Sequence, residues 1–326
     1  MAHGDIRAIC TAAGANLAIA VAKFGGSFVS GSAAMFAEGV HSLVDTVNQI
    51  LLLVGIRRAA RAADERHPFG YGREVYFFAF VVALFIFLGG GVFAIYEGWH
   101  KINHPEAEGS ATIARYVIPG FWLNIAVLSF AIATEGYSGL VALRAFRAEV
   151  GGSPILRSIR QSKDSSLFTV LLEDAAALAG LCIAMSGVVL ARVFEMPALD
   201  GLASVGIGLL LVAVAVLLLI ETHGLLIGEA ADSALVAAVR AAVAENAGVQ
   251  AVHEVLTQHM GPRDVLLAVS ADMDNAMTAG QIEAWVSALE HRIRTDFPRV
   301  TRVFIEIQAQ PVPTDPAVEG RLAPSV

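Results

Sequence analysis

Three residues with possible ion chemistry lie at helical spacing in one apolar run. Glu38, His41 and Asp45 stand at positions i, i+3 and i+7 within residues 32–56. Because an α-helix turns about 100° per residue, a helix here would place the three side chains on one face. Acids and imidazoles inside a membrane-length helix are costly to bury and usually mark an ion or proton route. The spacing therefore predicts such a route along this face.

A second pair of acids, Glu173 and Asp174, interrupts another apolar run. Buried carboxylates need a proton, a cation or a basic partner. A divalent metal ion shared with His41 and Asp45 would satisfy both helices, since imidazole nitrogen and carboxylate oxygen suit zinc and its first-row neighbours. The alternative is a proton-sharing polar cluster that only fixes the packing of the helices.

The composition is that of a membrane protein. Hydrophobic residues make up 56% of the 326 residues and charged residues 16%, whereas a soluble domain carries about 25% charged residues. The net charge of -8 argues against nucleic-acid binding. Cys10 and Cys182 both lie in apolar runs and form neither a disulfide framework nor a CxxC metal site.

Apolar runs long enough to cross about 30 Å of hydrocarbon predict a membrane α-helical fold with six transmembrane helices. The runs are residues 6–29, 32–56, 75–99, 113–143, 167–193 and 199–226. Arginine and lysine crowd the second and fourth links between them. The positive-inside rule places these links, and with six spans both termini, in the cytoplasm.

The composition changes after the sixth run, which predicts a membrane domain over residues 1–228 and a soluble domain over residues 229–310. Hydrophobic periodicity in the soluble part predicts the order α-β-β-α-β, with two helices on one face of a short sheet. The predicted helices are residues 233–246 and 278–296, and the predicted strands are residues 249–258, 265–273 and 300–308. The proline-rich tail, residues 311–326, is predicted to be disordered.

Three motifs together resemble one known family. They are HSLVD at residues 41–45, HPFGYGR at residues 67–73 and SKDSSLFTVLLEDAAALAG at residues 162–180. Each looks like its counterpart in the cation diffusion facilitators, with a likeness to the branch of mitochondrial-type zinc transporters. The resemblance implies a six-span, homodimeric divalent-metal/proton antiporter in a lipid bilayer, with a ferredoxin-like cytoplasmic domain and no enzymatic activity.

The resemblance also implies a ligand set for the transported metal. His41 and Asp45 match the family's ligand pair in the second span, and Asp174 matches a ligand in the fifth. The remaining family ligand position is Val170, which cannot ligate, so Glu173 or water is expected to take its place. Zinc is the first choice, and Mn²⁺, Fe²⁺ and Co²⁺ stay open because one imidazole with carboxylates is a harder donor set.

Two further family sites are incomplete in this sequence. Asp64 and His67 match ligands of a site that follows the second span, but Tyr71 stands at the third ligand position. His253 matches a position that can bind metal in the cytoplasmic domain, but the second histidine of that site falls near Val269. Weak metal binding, or none, is expected at both places.

Other polar residues in the spans are candidates for supporting roles. Glu38 is expected to line the path or relay protons, with helix packing as an equal alternative. Asn48 lies about one turn after Asp45 and is expected to orient a ligand. Glu135 in the fourth span could line an exit path or mark a water-facing end.

The predicted function is export of a divalent cation from the cytoplasm, in exchange for protons and by alternating access, across a bacterial inner membrane. Ligands must lose protons to bind metal, so protons from the other side can displace it. An intramembrane metallo-hydrolase is a rival from another class, although the sequence lacks an HExxH motif. A passive cation channel is a third possibility.

Overall fold

The computed structural model describes residues 3–104, 110–113, 116–150 and 165–309. The chain divides into two compact units, Met1–Leu226 and Ile227–Val326. In its described part the first unit is helical apart from one strand pair, and the second combines helices with a sheet. The predicted disordered tail lies outside the described residues.

Each of the six predicted runs contains a helix. The elements of the first unit are α1 (His3–Ser30), α2 (Ala33–Ala59), α3 (Glu74–Phe85), a π-helical segment (Ile86–Val92), α4 (Phe93–Asn103), β1 (Ser110–Ile113), β2 (Tyr116–Pro119), α5 (Gly120–Val150), α6 (Ser165–Val193) and α7 (Ala198–Ile227). The π-helical segment makes α3 and α4 one continuous span.

Within the described residues, five helical segments are long and apolar enough to cross a membrane. They are Ala33–Ala59, Glu74–Asn103, Gly120–Val141, Phe168–Val193 and Ala198–Ile227. Helix α1 has 28 residues, enough to span, but is not among these five.

The predicted start of the fourth span, at residue 113, is wrong. Strands β1 and β2 form an antiparallel pair, and α5 begins only after Pro119. Proline disfavours helical backbone in the residue before it, here Ile118, and is tolerated only in the first turn of a helix. Helix α5 also continues past its predicted end at residue 143, so Arg144 and Arg147 lie on a helix rather than in a loop.

The start of α2 is fixed from two sides. Gly31 takes a positive φ of 69°, and the Ser32 hydroxyl then accepts a hydrogen bond from the Met35 amide as the N-cap. The Asp200 carboxylate of α7 accepts from the Ser32 hydroxyl and from the Ala33 amide, both at 2.7 Å. These bonds set the position of the helix that carries the predicted polar face.

Glycine allows the π-helical segment and α7 to approach closely. A Cβ added at Gly91 would lie 2.7 Å from Val212 Cγ2, and one added at Gly208 would lie 2.7 Å from the Gly91 carbonyl oxygen. Any larger residue at either position would force the two backbones apart. The glycine run at residues 89–91 therefore allows close approach of the two helical segments.

The second unit has the predicted order of elements. They are α8 (Ser233–Ala244), β3 (Val249–Gly261), β4 (Asp264–Met273), α9 (Ala279–Asp296) and β5 (Val300–Ile307). The sheet order is β3-β4-β5, with β3 antiparallel and β5 parallel to the central β4. Val243 of α8 and Leu289 of α9 are buried in one core with Leu267 of β4. The α+β prediction for this unit is confirmed.

Candidate metal centre

The predicted polar face of α2 is buried. The exposed fractions of Glu38, His41, Asp45 and Asn48 are 0%, 1%, 6% and 0%. The Nδ1 atom of His41 lies 3.6 Å from Asp45 Oδ1. The helix therefore brings the imidazole and the carboxylate side by side, as the spacing predicted.

Several of these buried polar atoms have no hydrogen-bond partner among the described residues. They include both ring nitrogens of His41 and the Oδ1 atom of Asp45. Leaving such atoms unsatisfied costs about 1–3 kcal/mol each, and unpaired groups of this kind are rare in folded proteins. An imidazole nitrogen and a carboxylate oxygen that are both uncommitted are donor atoms for a cation or for water.

Glu173 of α6 faces α2. Its Oε1 atom accepts a hydrogen bond of 2.8 Å from Asn48 Nδ2, and 6% of Glu173 is exposed. Asn48 lies less than one helical turn beyond Asp45, so this bond ties the second acidic pair to the polar face of α2. Asn48 therefore contacts a candidate ligand directly, and its orienting role stays a prediction.

Asp174 faces the neighbouring helix α5 instead. Its Oδ2 atom accepts a hydrogen bond of 3.1 Å from Ser138. Glu135 lies on α5 one turn before Ser138 and is only 5% exposed. The structure thus adds α5 to the helices that surround the acids.

The predicted ligands stand as one pair on α2 and one pair on α6. In the part of the chain that the structure describes, no three His, Cys, Asp or Glu side chains are gathered tightly enough to hold one metal ion. Val170 packs against the apolar core. Beside it Thr169, overlooked in the sequence, is fully buried, and its hydroxyl has no described partner.

Lys23 is a second residue that the sequence analysis missed. Its ammonium lies 3.0 Å from Glu38 Oε2 and donates a hydrogen bond of 2.7 Å to Ser42 Oγ. The signal in the sequence is a lone lysine within the first apolar run, but the sequence does not indicate which acid it meets. Glu38 therefore has a basic partner on α1.

The exposed loop after α2 brings Asp64, His67 and Tyr71 together. The Asp64 carboxylate accepts hydrogen bonds from the Tyr71 hydroxyl at 2.6 Å and from the amides of His67 and Arg66 at 2.7 and 3.0 Å. The bond from Tyr71 is the main cause that lowers the pKa of Asp64, and it raises the pKa of Tyr71. This carboxylate is already engaged by protein donors.

His253 of β3 has a protein partner as well. Its Nε2 atom lies 3.2 Å from the carbonyl oxygen of Gln308. Val269, at the position of the second family histidine, is buried in the sheet core. Metal binding at His253 stays a prediction.

Comparison with known proteins gives matches over both units. The profile of the cation efflux transmembrane domain matches residues 9–227, and that of the cation efflux protein cytoplasmic domain matches residues 231–310. Both profiles describe parts of a transporter rather than an enzyme. The helices that carry the candidate ligands all fall inside the first match.

Two kinds of relatives support the same assignment. The mitochondrial proton-coupled zinc antiporter SLC30A9 is 33% identical in Xenopus laevis and 30% in Homo sapiens, over 75% and 77% of this chain. Metal tolerance protein C4 of Arabidopsis thaliana is 31% identical over 83% of the chain. The matches span only 42%, 43% and 58% of these relatives. From the two domain matches and these relatives, we conclude that the chain is an integral membrane protein of the cation efflux family, the cation diffusion facilitators.

Proposed function

We propose that this protein exports a divalent transition-metal ion, zinc in the first place, in exchange for protons. The single observation that carries the proposal is the buried pair His41 and Asp45, whose donor atoms have no partner among the described residues. Imidazole and carboxylate together suit zinc. Relatives named as proton-coupled zinc antiporters support both the ion and its coupling to protons.

Metal binding and proton release are linked at this site. His41 and Asp45 of α2 bind the ion first in their deprotonated forms, and Asp174 or Glu173 of α6 completes the set as the two helices move together. Protons that arrive from the far side compete for the same atoms and displace the ion. Mn²⁺, Fe²⁺ and Co²⁺ would use the same route, since carboxylate oxygens accept all of them.

We further propose a bacterial inner membrane as the location, with both termini in the cytoplasm. The orientation is supported by the distribution of charge, since arginines crowd the link after α2 and the end of α5. The positive-inside rule places such segments on the cytoplasmic side.

We also propose that two copies pair through the second unit. Leu256 of β3 and Phe304 of β5 are 57% and 53% exposed. Both pair with Ala268 of β4, so they lie in one row across the same face of the sheet. An exposed apolar patch of this kind marks an interaction surface, which a second copy would cover.

The test is zinc-driven proton flux in proteoliposomes, measured with a pH-sensitive dye. In the unaltered protein, zinc that moves down its gradient should drive protons across the membrane in the opposite direction. Asp45→Asn should abolish this proton flux because it removes a charged ligand. Asp64→Asn, in the exposed loop, serves as the matched control. Zinc flux without proton movement would support the channel alternative, and undiminished exchange by Asp45→Asn would reject the site.

A further inference from the structure

A buried lysine lies beside the acidic face of α2, and the proposed transport step does not use it. Lys23 is fully buried, with its ammonium bonded to Glu38 and Ser42. It is the only lysine or arginine in the sequence between Arg7 and Arg57. A positively charged side chain therefore lies next to the proposed route for positive ions.

Stability does not explain this pair well. Removing two charges from water often costs more than their attraction returns, and replacement of a buried ion pair by apolar residues is often neutral or stabilising. Ionisable residues inside membrane spans are usually functional. The pair of Lys23 and Glu38 therefore points to a role in handling the transported cation.

Only one oxygen of Glu38 is bonded to Lys23. The Oε1 atom has no described partner and faces α6 at Gly180, where an added Cβ would collide with it. The same helix carries Glu173 and Asp174. Lys23 thus binds one oxygen of the Glu38 carboxylate, and the other oxygen faces α6, the helix that carries the second acidic pair.

The contacts of Lys23 place its charge beside the candidate ligands. Ser42, which accepts the hydrogen bond from Lys23, directly follows His41 on α2 and lies three residues before Asp45. Like charges repel, and repulsion is stronger away from bulk water. A divalent ion bound at His41 and Asp45 is therefore destabilised by Lys23 and stabilised by Glu38.

We propose that Lys23 sets the affinity of the transport site, as a resident positive charge that weakens divalent-ion binding at His41 and Asp45 and so permits release. Glu38 offsets part of this charge, and the two residues act in opposite directions on metal affinity. The inference rests on the proposed transport function. Lys23 is a positioning and affinity-setting residue and does not ligate the ion.

The experiment compares zinc binding by calorimetry and zinc transport in proteoliposomes for full-length Lys23→Met, Glu38→Gln and the double variant. Lys23→Met should lower the zinc Kd by about tenfold or more, since it removes the repulsion between a unit positive charge and a divalent ion in surroundings of low effective dielectric constant. The KM should fall with the Kd, and the maximal rate should fall because release slows. Glu38→Gln should raise the Kd, and the double variant should lie between the two.

Lys101→Met is the matched control. Lys101 is also a buried lysine, but it lies on α4 and donates to the Gly31 carbonyl oxygen at 2.7 Å. Its replacement should leave the zinc Kd unchanged. An equal tightening in Lys101→Met would overturn the assignment to Lys23.

A purely structural ion pair would give a different pattern. Both single variants would then lose stability, with the Kd unchanged or moved in the same direction, and this result would overturn the proposal. If Lys23→Met does not fold, Glu38→Gln decides alone, since an unchanged or lower Kd contradicts the proposal. Failure of the unaltered protein to bind zinc would instead reject the proposed function.

Discussion

Two acid–histidine pairs in this chain have nearly the same local geometry and very different surroundings. His41 Nδ1 lies 3.6 Å from Asp45 Oδ1 in the membrane helices, and His67 Nδ1 lies 3.5 Å from Asp64 Oδ1 in the loop after α2. The side chains of the first pair are 1% and 8% exposed, and those of the second are 52% and 51% exposed.

The difference lies in which donor atoms are still available. The Asp64 carboxylate is engaged by three protein donors, and water can satisfy the exposed ring of His67. In contrast, both ring nitrogens of His41 and one oxygen of Asp45 have no partner among the described residues. Residue type and spacing alone therefore do not identify a metal site, because burial and unmet bonding capacity decide between two similar pairs.

The largest expected effect comes from replacing the two histidines in parallel. His41→Gln should raise the zinc Kd on the order of 100-fold or more, since loss of even an outer partner of a metal ligand typically costs 10–100-fold. His67→Gln should leave the Kd nearly unchanged, because that ring lies in the exposed loop and is not part of the proposed site in the membrane helices. Calorimetry on the purified full-length variants measures both, and equal effects would remove the distinction between the pairs.

Removal of the hydrogen bond that joins α2 to α6 should have the next largest effect on zinc affinity. Asn48→Ala removes the 2.8 Å hydrogen bond to Glu173, and the zinc Kd should rise by about tenfold because the acid loses its orientation. Asn103→Ala is the control, since Asn103 donates to the Trp99 carbonyl in an exposed position. A zinc Kd that does not respond to Asn48→Ala would argue that Glu173 plays no part in binding.

A substitution at Val170, the family ligand position that cannot ligate in this chain, should have a smaller effect that differs between metals. Val170→His adds an imidazole to α6 at the place where the family carries a ligand, so zinc should be favoured over manganese more strongly than in the unaltered protein. Competition between the two metals in transport assays provides the measurement. An unchanged preference would show that position 170 does not reach the ion.

The smallest effect concerns the exposed loop. Tyr71→Phe removes the main hydrogen bond that lowers the pKa of Asp64, so this pKa should rise toward its ordinary value in an NMR titration. A lowered carboxyl pKa stabilises the fold above the unfolded-state pKa, and this stabilisation disappears as the pH falls through the folded-state pKa. The variant should lose that stabilisation at neutral pH while its zinc affinity stays the same; weaker zinc binding would mean that the loop takes part.

The sequence predicted features that depend on local pattern. Alternation of apolar residues such as Val303 and Ile305 located β5, and helical spacing placed His41 and Asp45 on one buried face. The start of α5 was not predicted, because the apolar residues of β2 continue into those of the helix and only Pro119 separates the two elements.

Contacts between distant parts of the chain could not be predicted. Lys23 and Glu38 are 15 residues apart on two helices, and Asn48 and Glu173 are 125 residues apart. No periodicity within one helix encodes which neighbour its polar side chains meet. For the same reason, the orientation of Asp174 toward Ser138, and not toward α2, became visible only in three dimensions.

Anomalous scattering from zinc-soaked crystals of the full-length protein tests the central claim most directly. The account predicts a zinc peak against His41 and Asp45, on the side of α2 that faces α6, and none at the loop when zinc is supplied in equal amount to protein. A peak between Asp64 and His67, with none at His41, would contradict it.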